Sequence, residues 1–150
     1  MKYASLDMLF SGFVGRDLAR LTVGMAGVHY DFASERIEQK WYVQHSVLTN
    51  ARILIRRETG ERLLETEAFP PFAAEGGLQA LLVGRRARRI LWDSQQSELR
   101  MEFHDGVDLS LVLNSSDERQ YMCVFYYPEG RRDWRMTEGF VIRSGATMPC

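Results

Sequence analysis

The sequence predicts a protein of the α+β class that is mainly β, an antiparallel meander of hairpins with one or two short helices. Three segments alternate apolar and polar side chains with the two-residue period of half-buried strands. Each of these segments contains a short loop with glycine in its third position. Helical periodicity is confined to short stretches, so antiparallel hairpins account for most of the chain.

The clearest hairpin runs from Glu98 to Leu113. A two-residue loop would pair Phe103 with Asp108 and mix apolar and charged side chains on one face. A three-residue loop ending at Gly106 keeps the apolar side chains together and places glycine where a left-handed backbone is needed. That loop predicts these pairs: Phe103 with Val107, Met101 with Leu109, and Leu99 with Leu111.

The same loop chemistry occurs twice more, at Glu58-Thr59-Gly60 and at Pro128-Glu129-Gly130. The loop ending at Gly60 predicts these pairs: Ile55 with Leu63, Leu54 with Leu64, and Arg57 with Glu61. The loop ending at Gly130 predicts these: Val124 with Trp134, and Met122 with Met136. Three hairpins of one kind indicate a meandering antiparallel sheet.

Other elements are shorter. Strands are expected at Gly27 to Phe32, Gln39 to Gln44 and Ala87 to Trp92, which are rich in aromatic or β-branched residues. A helix is expected at Ala74 to Val83 and a shorter helical turn at Val14 to Leu21.

A faint repeat suggests two similar halves that share one sheet. Leu21-Thr22-Val23-Gly24 is echoed by Leu81-Leu82-Val83-Gly84 at an offset of sixty residues, although so few matches also arise by chance. No linker or low-complexity segment separates the halves. We therefore expect residues 1–150 to form a single globular domain.

Composition excludes several classes of function. The chain has 19 lysines and arginines against 20 aspartates and glutamates, a formal net charge of -1, so no global field favours nucleic acid or a membrane surface. Charged residues interrupt the N-terminal segment, which is not typical of a signal peptide. Cys123 and Cys150 make no disulfide framework. We expect a cytoplasmic protein that does not bind a membrane.

Signatures of catalysis are missing from the sequence. His29, His45 and His104 lie far from further histidines or cysteines, and none stands in a nucleophile motif. No glycine-rich phosphate loop or dinucleotide fingerprint occurs. We expect a protein that is not an enzyme and holds no metal or cofactor.

Two surface features could bind a partner. Four arginines, Arg85, Arg86, Arg88 and Arg89, form a basic cluster that follows an acidic stretch between Glu58 and Glu75. They would bind an acidic protein face or phosphate by bidentate contacts. The alternative is a solvated edge strand, on which charges discourage aggregation.

The last hairpin is rich in aromatic residues on both of its faces. If one face packs in the core, Tyr121, Phe125 and Tyr127 are partly exposed on the other, and tyrosine with arginine is enriched at interface hot spots. The alternative is that a small helix covers this face.

One stretch resembles a known group of proteins. A leucine-glycine step at Leu78 to Gly84, a strand to Trp92 and the Phe-x-Asp-Gly hairpin at Phe103 to Gly106 resemble small bacterial proteins found as candidate immunity proteins beside polymorphic toxins. The resemblance covers about Leu78 to Tyr127, and the segment after the hairpin matches it only loosely.

This resemblance implies a non-catalytic protein that binds a cognate toxin, or another protein, and blocks its activity. No catalytic residues come with it. The expected partner-binding residues are Tyr127, Arg131 and Trp134, followed by Arg85, Arg86, Arg88 and Arg89.

Two alternatives remain open at this point. A small-molecule-binding or enzyme-like domain would enclose a pocket lined by four aromatic residues: Tyr30, Trp41, Trp92 and Phe103. A homodimeric structural subunit would join through an exposed sheet edge. The oligomeric state does not follow from the sequence.

Overall fold

A computed structural model describes residues 3–37, 40–66, 69–127, 138–144 and 146–149, with side chains for all of these except 34–37 and 40–44. It confirms a mainly β protein with two short helices. The helices are α1 (Leu6–Ser11) and α2 (Glu75–Leu82), and a 3₁₀ turn at Phe72–Ala74 precedes α2. The strands are β1 (Leu18–Val23), β2 (Val28–Ile37), β3 (Lys40–Thr49), β4 (Arg52–Arg57), β5 (Arg62–Thr66), β6 (Ala87–Asp93), β7 (Glu98–Phe103), β8 (Val107–Val112), β9 (Met122–Tyr126), β10 (Glu138–Arg143) and β11 (Ala146–Pro149).

The described strands form two antiparallel sheets rather than one. The six-stranded sheet has the order β1-β2-β3-β9-β10-β11, and the five-stranded sheet has the order β5-β4-β8-β7-β6. The prediction that two similar halves share one sheet is therefore wrong. The two similar sequence segments also differ in secondary structure, since Leu21 lies in β1 whereas Leu81 lies in α2. Non-local packing overrides such short sequence similarity.

A corner joins the two sheets where two chain segments change sheet together. β3 pairs with β9 in one sheet, and their continuations β4 and β8 pair in the other. At the corner the amide of Asn50 donates to the carbonyl of Arg119 (2.9 Å) and accepts from the N–H of Tyr121 (3.0 Å). The Thr49 hydroxyl donates to the carbonyl of Tyr121 (2.7 Å). These bonds satisfy backbone groups that the interrupted ladder leaves unpaired.

A seam brings the sheets together again on the β1 and β6 side. The N–H of Leu18 donates to the carbonyl of Arg85, and the N–H of Gly84 donates to the carbonyl of Leu18, both at 2.8 Å. Gly84 has φ +91°, a left-handed conformation that glycine adopts at little cost. The core is thus bounded by both sheets.

Aromatic stacking spans that core. The ring of Phe32 on β2 lies 6.4 Å from the ring of Phe103 on β7, with 3° between the planes. Phe13 meets Phe32 edge-on at 5.2 Å. From α2, Leu78 and Leu82 are fully buried in the same cluster. Both sheets and both helices therefore share one continuous core.

The hairpin at Gly106 is confirmed. Met101 pairs with Leu109 and Leu99 with Leu111, as the three-residue loop requires. Gly106 has φ +74°. Local glycine chemistry and the apolar alternation together set this register.

The hairpin at Gly60 is confirmed at its loop but not along its strands. Arg57 donates its N–H to the carbonyl of Glu61, as expected, and Gly60 has φ +96°. Beyond a bulge, however, Ile55 pairs with Leu64 and Leu54 with Glu65, so the predicted pairs with Leu63 and Leu64 are wrong by one residue. The extra residue allows both Leu63 and Leu64 to pack against the core.

The predicted partners of β9 are wrong. Val124 pairs with Val47 on one side and Phe140 on the other, which leaves no ladder position for Trp134. Met122 likewise pairs with Thr49 and Ile142 rather than Met136. The Gly130 loop itself lies outside the described residues. Because both edges of β9 are occupied, its register depends on distant strands.

The N-terminal segment also differs from expectation. The helical turn predicted at Val14 to Leu21 is wrong, because β1 begins at Leu18 and the helix lies earlier, at Leu6–Ser11. The hydroxyl of Ser5 caps that helix by accepting from the N–H of Met8 at 3.2 Å. The expected helix near Ala74 and the three shorter strands are confirmed, with β2 and β3 longer than predicted. Within the described ranges, neither helix has the length and hydrophobicity that crossing a bilayer requires.

One tyrosine in the core has an unsatisfied hydroxyl. Tyr30 is fully buried, and its hydroxyl has no hydrogen-bond partner within the described residues. Burial raises the pKa of this hydroxyl, because the apolar surroundings disfavour the phenolate. An unpaired buried hydroxyl costs about 1–3 kcal/mol of stability.

We expect Tyr30→Phe to raise the free energy of unfolding by about 1 kcal/mol, and with it the urea midpoint, because it removes an unpaired polar group. The matched control is Tyr126→Phe, which loses a hydroxyl that donates to Glu138 at 2.5 Å and should lower the midpoint. A destabilised Tyr30→Phe protein would show that the hydroxyl has a partner.

The same substitution should change the alkaline limb of the stability curve. Unfolded tyrosine ionises near pH 10, at about its ordinary pKa. The raised pKa of Tyr30 means that the unfolded state binds fewer protons above that pH, so wild-type stability falls as the pH rises further. Above pH 10 the free energy of unfolding of Tyr30→Phe should fall less steeply with pH than that of the wild type, with a difference of up to about 1.4 kcal/mol per pH unit.

Candidate functional site

The outward face of the six-stranded sheet carries the strongest candidate site. Along β9 and its two flanking residues, burial alternates strictly. Met122, Val124 and Tyr126 are buried, and these residues are partly exposed: Tyr121, Cys123, Phe125 and Tyr127. The prediction that Tyr121, Phe125 and Tyr127 share a partly exposed face is confirmed. The buried side chains of both helices join the core instead of covering this face.

Two cross-strand rows make up this surface. The first contains Arg20, Asp31, Ser46, Phe125 and Gly139. The second contains Thr22, His29, Leu48, Cys123, Val141 and Met148, one residue from each strand. We call these rows, together with Tyr121, Tyr127 and Arg143, the outer sheet face. It combines a polar end on β1 and β2 with an apolar and aromatic field on the other strands.

A buried carboxylate anchors the polar end. Asp31 accepts from the hydroxyl of Ser46 (2.7 Å) and from Nε of Arg20 (2.9 Å). Its side chain is only 3% exposed, whereas that of Arg20 is 67% exposed. Hydrogen bonds to a charged group are among the strong ones, and they here tie three adjacent strands together. This part of the face is accordingly rigid.

The Ser46, Asp31 and His29 side chains do not form a nucleophilic triad. In a working triad the imidazole stands between the nucleophile and the carboxylate and takes the nucleophile's proton. Here Ser46 donates directly to Asp31, and Nε2 of His29 lies 3.7 Å from that same carboxylate oxygen. Ser46 is also fully buried. The arrangement holds the sheet and gives no activated nucleophile.

Aromatic rings stand next to this polar cluster. Phe125 meets Tyr127 edge-on with ring centroids 5.9 Å apart, and its other neighbour is the His29 ring at 5.7 Å. Gly139 lies opposite Phe125 on β10 and has no side chain to displace it. Phe125 is thus held at the centre of the face.

Tyr121 and Arg143 form a second feature at one end of the face. The Tyr121 hydroxyl donates to the carbonyl of Ala26 at 2.5 Å, which ties the β1–β2 turn to β9. The guanidinium of Arg143 lies 5.7 Å from the centre of the Tyr121 ring, within the range of a cation–π contact. Partial burial raises the pKa of the Tyr121 hydroxyl. Tyr121 was among the residues predicted to be partly exposed, whereas the sequence analysis did not single out Arg143.

The predicted basic cluster has acidic neighbours. The closest carboxylates are Asp105 for Arg85 (3.8 Å), Asp17 for Arg86 (3.0 Å), Glu58 for Arg88 (3.9 Å) and Glu102 for Arg89 (3.8 Å). Of the acidic stretch, Glu58 is the residue that lies beside this cluster, and the other three carboxylates come from other parts of the chain. Arg85 and Arg86 line a cleft of about 350 Å³ with two aspartates. Such exposed pairs fit a solvated edge as well as a docking surface.

The other predicted anchors fall in different places. Tyr127 lies on the outer sheet face, whereas Arg131 and Trp134 lie outside the described residues. Three of the four aromatic residues of the pocket alternative pack in or against the core, and Trp92 is the partly buried one among them. Tyr30 and Phe103 are buried in the core at 0% and 1% exposure, and the side chain of Trp41 is outside the described part of the chain.

A second polar cluster lies at one end of the core. The hydroxyl oxygen of Tyr3 lies 3.1 Å from Nε2 of His45, and His45 is 2% exposed. Tyr126 stacks on His45 at 5.9 Å and donates to Glu138. Because the imidazole is enclosed by Phe13 and both tyrosines, the cluster holds the N-terminal segment against β3. Among the described residues, no group of three or more histidines, cysteines or carboxylates could hold a metal ion.

The close approach at Gly139 gives a stability test. A Cβ added there would meet the backbone oxygen of Val124 and would lie 2.7 Å from Cα and Cβ of Phe125, so we expect Gly139→Ala to cost about 1–3 kcal/mol by overpacking. The matched control is Gly76→Ala in α2, where a Cβ meets nothing within 4 Å and should stabilise by about 0.5–1 kcal/mol. Urea unfolding measures both, and equal effects of the two substitutions would contradict the packing described.

Comparison of the chain with protein-family models, with curated proteins and with solved structures found no match. The outer sheet face combines a hydrogen-bonded polar base, partly exposed rings and an arginine, and aromatic residues and arginine are enriched at protein interfaces.

Proposed function

We propose that this protein is a non-catalytic binding protein, an immunity or inhibitor protein that binds a cognate bacterial toxin in the cytoplasm and blocks its activity. The outer sheet face is the proposed docking surface. The observation that carries the proposal is the row of partly exposed rings, with Phe125 and Tyr127 in contact, beside the buried Asp31 cluster.

The size of the face suits part of such an interface. Six strands at their usual spacing, each contributing about five residues, cover about 500 Å². A stable complex of standard size buries about 800 Å² on each partner. Neighbouring segments would supply the remainder. Tyr127 leads directly into residues 128–137, which carry the predicted anchors Arg131 and Trp134.

Rigidity supports a blocking role. An inhibitor gains affinity when its contact residues are already ordered, because less conformational freedom is lost on binding. Asp31 fixes β1, β2 and β3 to one another, and Tyr121 is bonded to the β1–β2 turn and to the corner. The exposed rings thus stand on a pre-organised base.

The sheet edges fit docking less well than the face does. β11 is a four-residue edge strand that ends at Pro149, and proline cannot donate a ladder hydrogen bond. β6 begins at the seam and carries Arg88 and Arg89. These features discourage pairing through β6 and β11, which are two of the four edge strands of the described sheets, so a homodimer joined through either of them has less support.

The test is co-expression with the toxin encoded by the adjoining gene. Wild type should bind the toxin and protect the cell. Val141→Glu places a charge in the outer sheet face and should abolish both effects, because an unpaired charge at the interface is costly. The matched control Leu91→Glu changes a 41% exposed leucine on the opposite sheet and should keep both.

Circular dichroism of both variants should show the wild-type fold. Absence of both complex and protection with wild type would contradict the proposed function. Full protection by Val141→Glu would place the docking surface elsewhere.

A further inference from the structure

We infer that Arg143, held over the ring of Tyr121, is the anchor for a carboxylate of an acidic partner protein. This inference rests on the proposed function and specifies the chemistry of the partner at the same face. The juxtaposition of an arginine, a fixed aromatic ring and an adjoining apolar row carries it.

Arg143 differs from the arginines that the sequence singled out. A carboxylate lies within 4.0 Å of Arg20 and of each arginine in the basic cluster: Arg85, Arg86, Arg88 and Arg89. Within the described residues no carboxylate lies that close to Arg143, and its guanidinium carbon lies over the Tyr121 ring, 5.7 Å from the ring centre. A cation–π contact uses the face of the guanidinium and leaves its N–H groups for an acceptor.

Hydrogen bonds hold Tyr121, whose ring lies beneath Arg143, at its hydroxyl and at both of its backbone polar groups. Tyr121 donates its hydroxyl to Ala26 (2.5 Å) and its N–H to Asn50 (3.0 Å), and its carbonyl accepts from Thr49 (2.7 Å). A guanidinium on such a platform loses less freedom on binding than one on a mobile side chain. Two parallel N–H donors match the two oxygens of a carboxylate.

The charge of the face indicates the sign of the ligand. Asp31 is the carboxylate of the two cross-strand rows, and it is 3% exposed and occupied by Arg20 and Ser46. The exposed charges of the described face are therefore the guanidinium groups of Arg20 and Arg143. A partner that brings acidic residues meets complementary charge there.

The neighbours of Arg143 favour a protein over a nucleic acid. Val141 and Met148 pair across β10 and β11 beside it, so a carboxylate with adjacent apolar side chains fits both features. Nucleic acid would need several phosphate contacts, and the chain has a formal net charge of -1. An oligonucleotide thus serves as the competing probe.

The experiment uses fluorescence anisotropy with the full chain. The probe is a labelled peptide of about eight residues that alternates Glu and Leu, compared with its Gln and Leu counterpart and an oligothymidylate of equal length. The acidic peptide should bind best. Arg143→Gln should weaken its binding about tenfold, and Arg143→Lys about threefold, because lysine keeps the charge and loses the bidentate fork.

The matched control is Arg119→Gln. Arg119 is 90% exposed, pairs with Asp117 and lies off the face, so its loss should leave the affinity unchanged. Thermal unfolding confirms that each variant is folded. Failure of the wild type to bind the acidic peptide, equal binding by Arg143→Gln, or tighter binding of the oligothymidylate would each overturn the inference.

The toxin separates this inference from the proposed function. If the toxin binds wild type and Arg143→Gln equally well, the inference is wrong while the proposed function stands. If the toxin does not bind at all and the peptide results hold, the proposed function is wrong while Arg143 remains a carboxylate site.

Discussion

The corner at Asn50 is the constraint on which the rest of the structure depends. There the chain passes from β3 to β4, and a neighbouring segment passes from β8 to β9. The pair β3 and β9 therefore lies in one sheet, and the pair β4 and β8 lies in the other. Asn50 and Thr49 supply the hydrogen bonds that a continuous ladder would have made. Because the corner fixes how the two sheets face each other, it also brings Phe32 and Phe103 together in the core.

The same corner organises the candidate site. Tyr121 is the residue immediately before β9, and its backbone is hydrogen-bonded to Asn50 and Thr49. These bonds determine where its ring lies on the outer sheet face. Arg143 then comes to rest over that ring through the pairing of β9 with β10. The proposed anchor therefore depends on the corner and on the pairing of β9 with β10. Its two residues, Tyr121 and Arg143, are far apart in the sequence.

Charge has different consequences on the two sheets. On and just before β6 the basic residues lie within 4.0 Å of four carboxylates: Asp17, Glu58, Glu102 and Asp105. These carboxylates offset the charge of the arginines although they are distant from them in the sequence. On the outer sheet face the carboxylate is buried and the arginines are exposed. A cluster in the sequence is therefore not a charged patch in the structure, because the partner strands decide what faces each side chain.

The sequence by itself determined the local features: mainly antiparallel strands, the glycine loops at Gly60 and Gly106, the register of β7 with β8, and the alternation that exposes Tyr121, Phe125 and Tyr127. These follow from neighbouring residues, since a tight loop and a two-residue period need no distant partner. Only the tertiary structure decided the division into two sheets, the bulge at Leu63, the pairing of Val124 with Phe140, and the contact of Arg143 with Tyr121. Those choices depend on which distant strands bury the same core, and no local pattern encodes that competition.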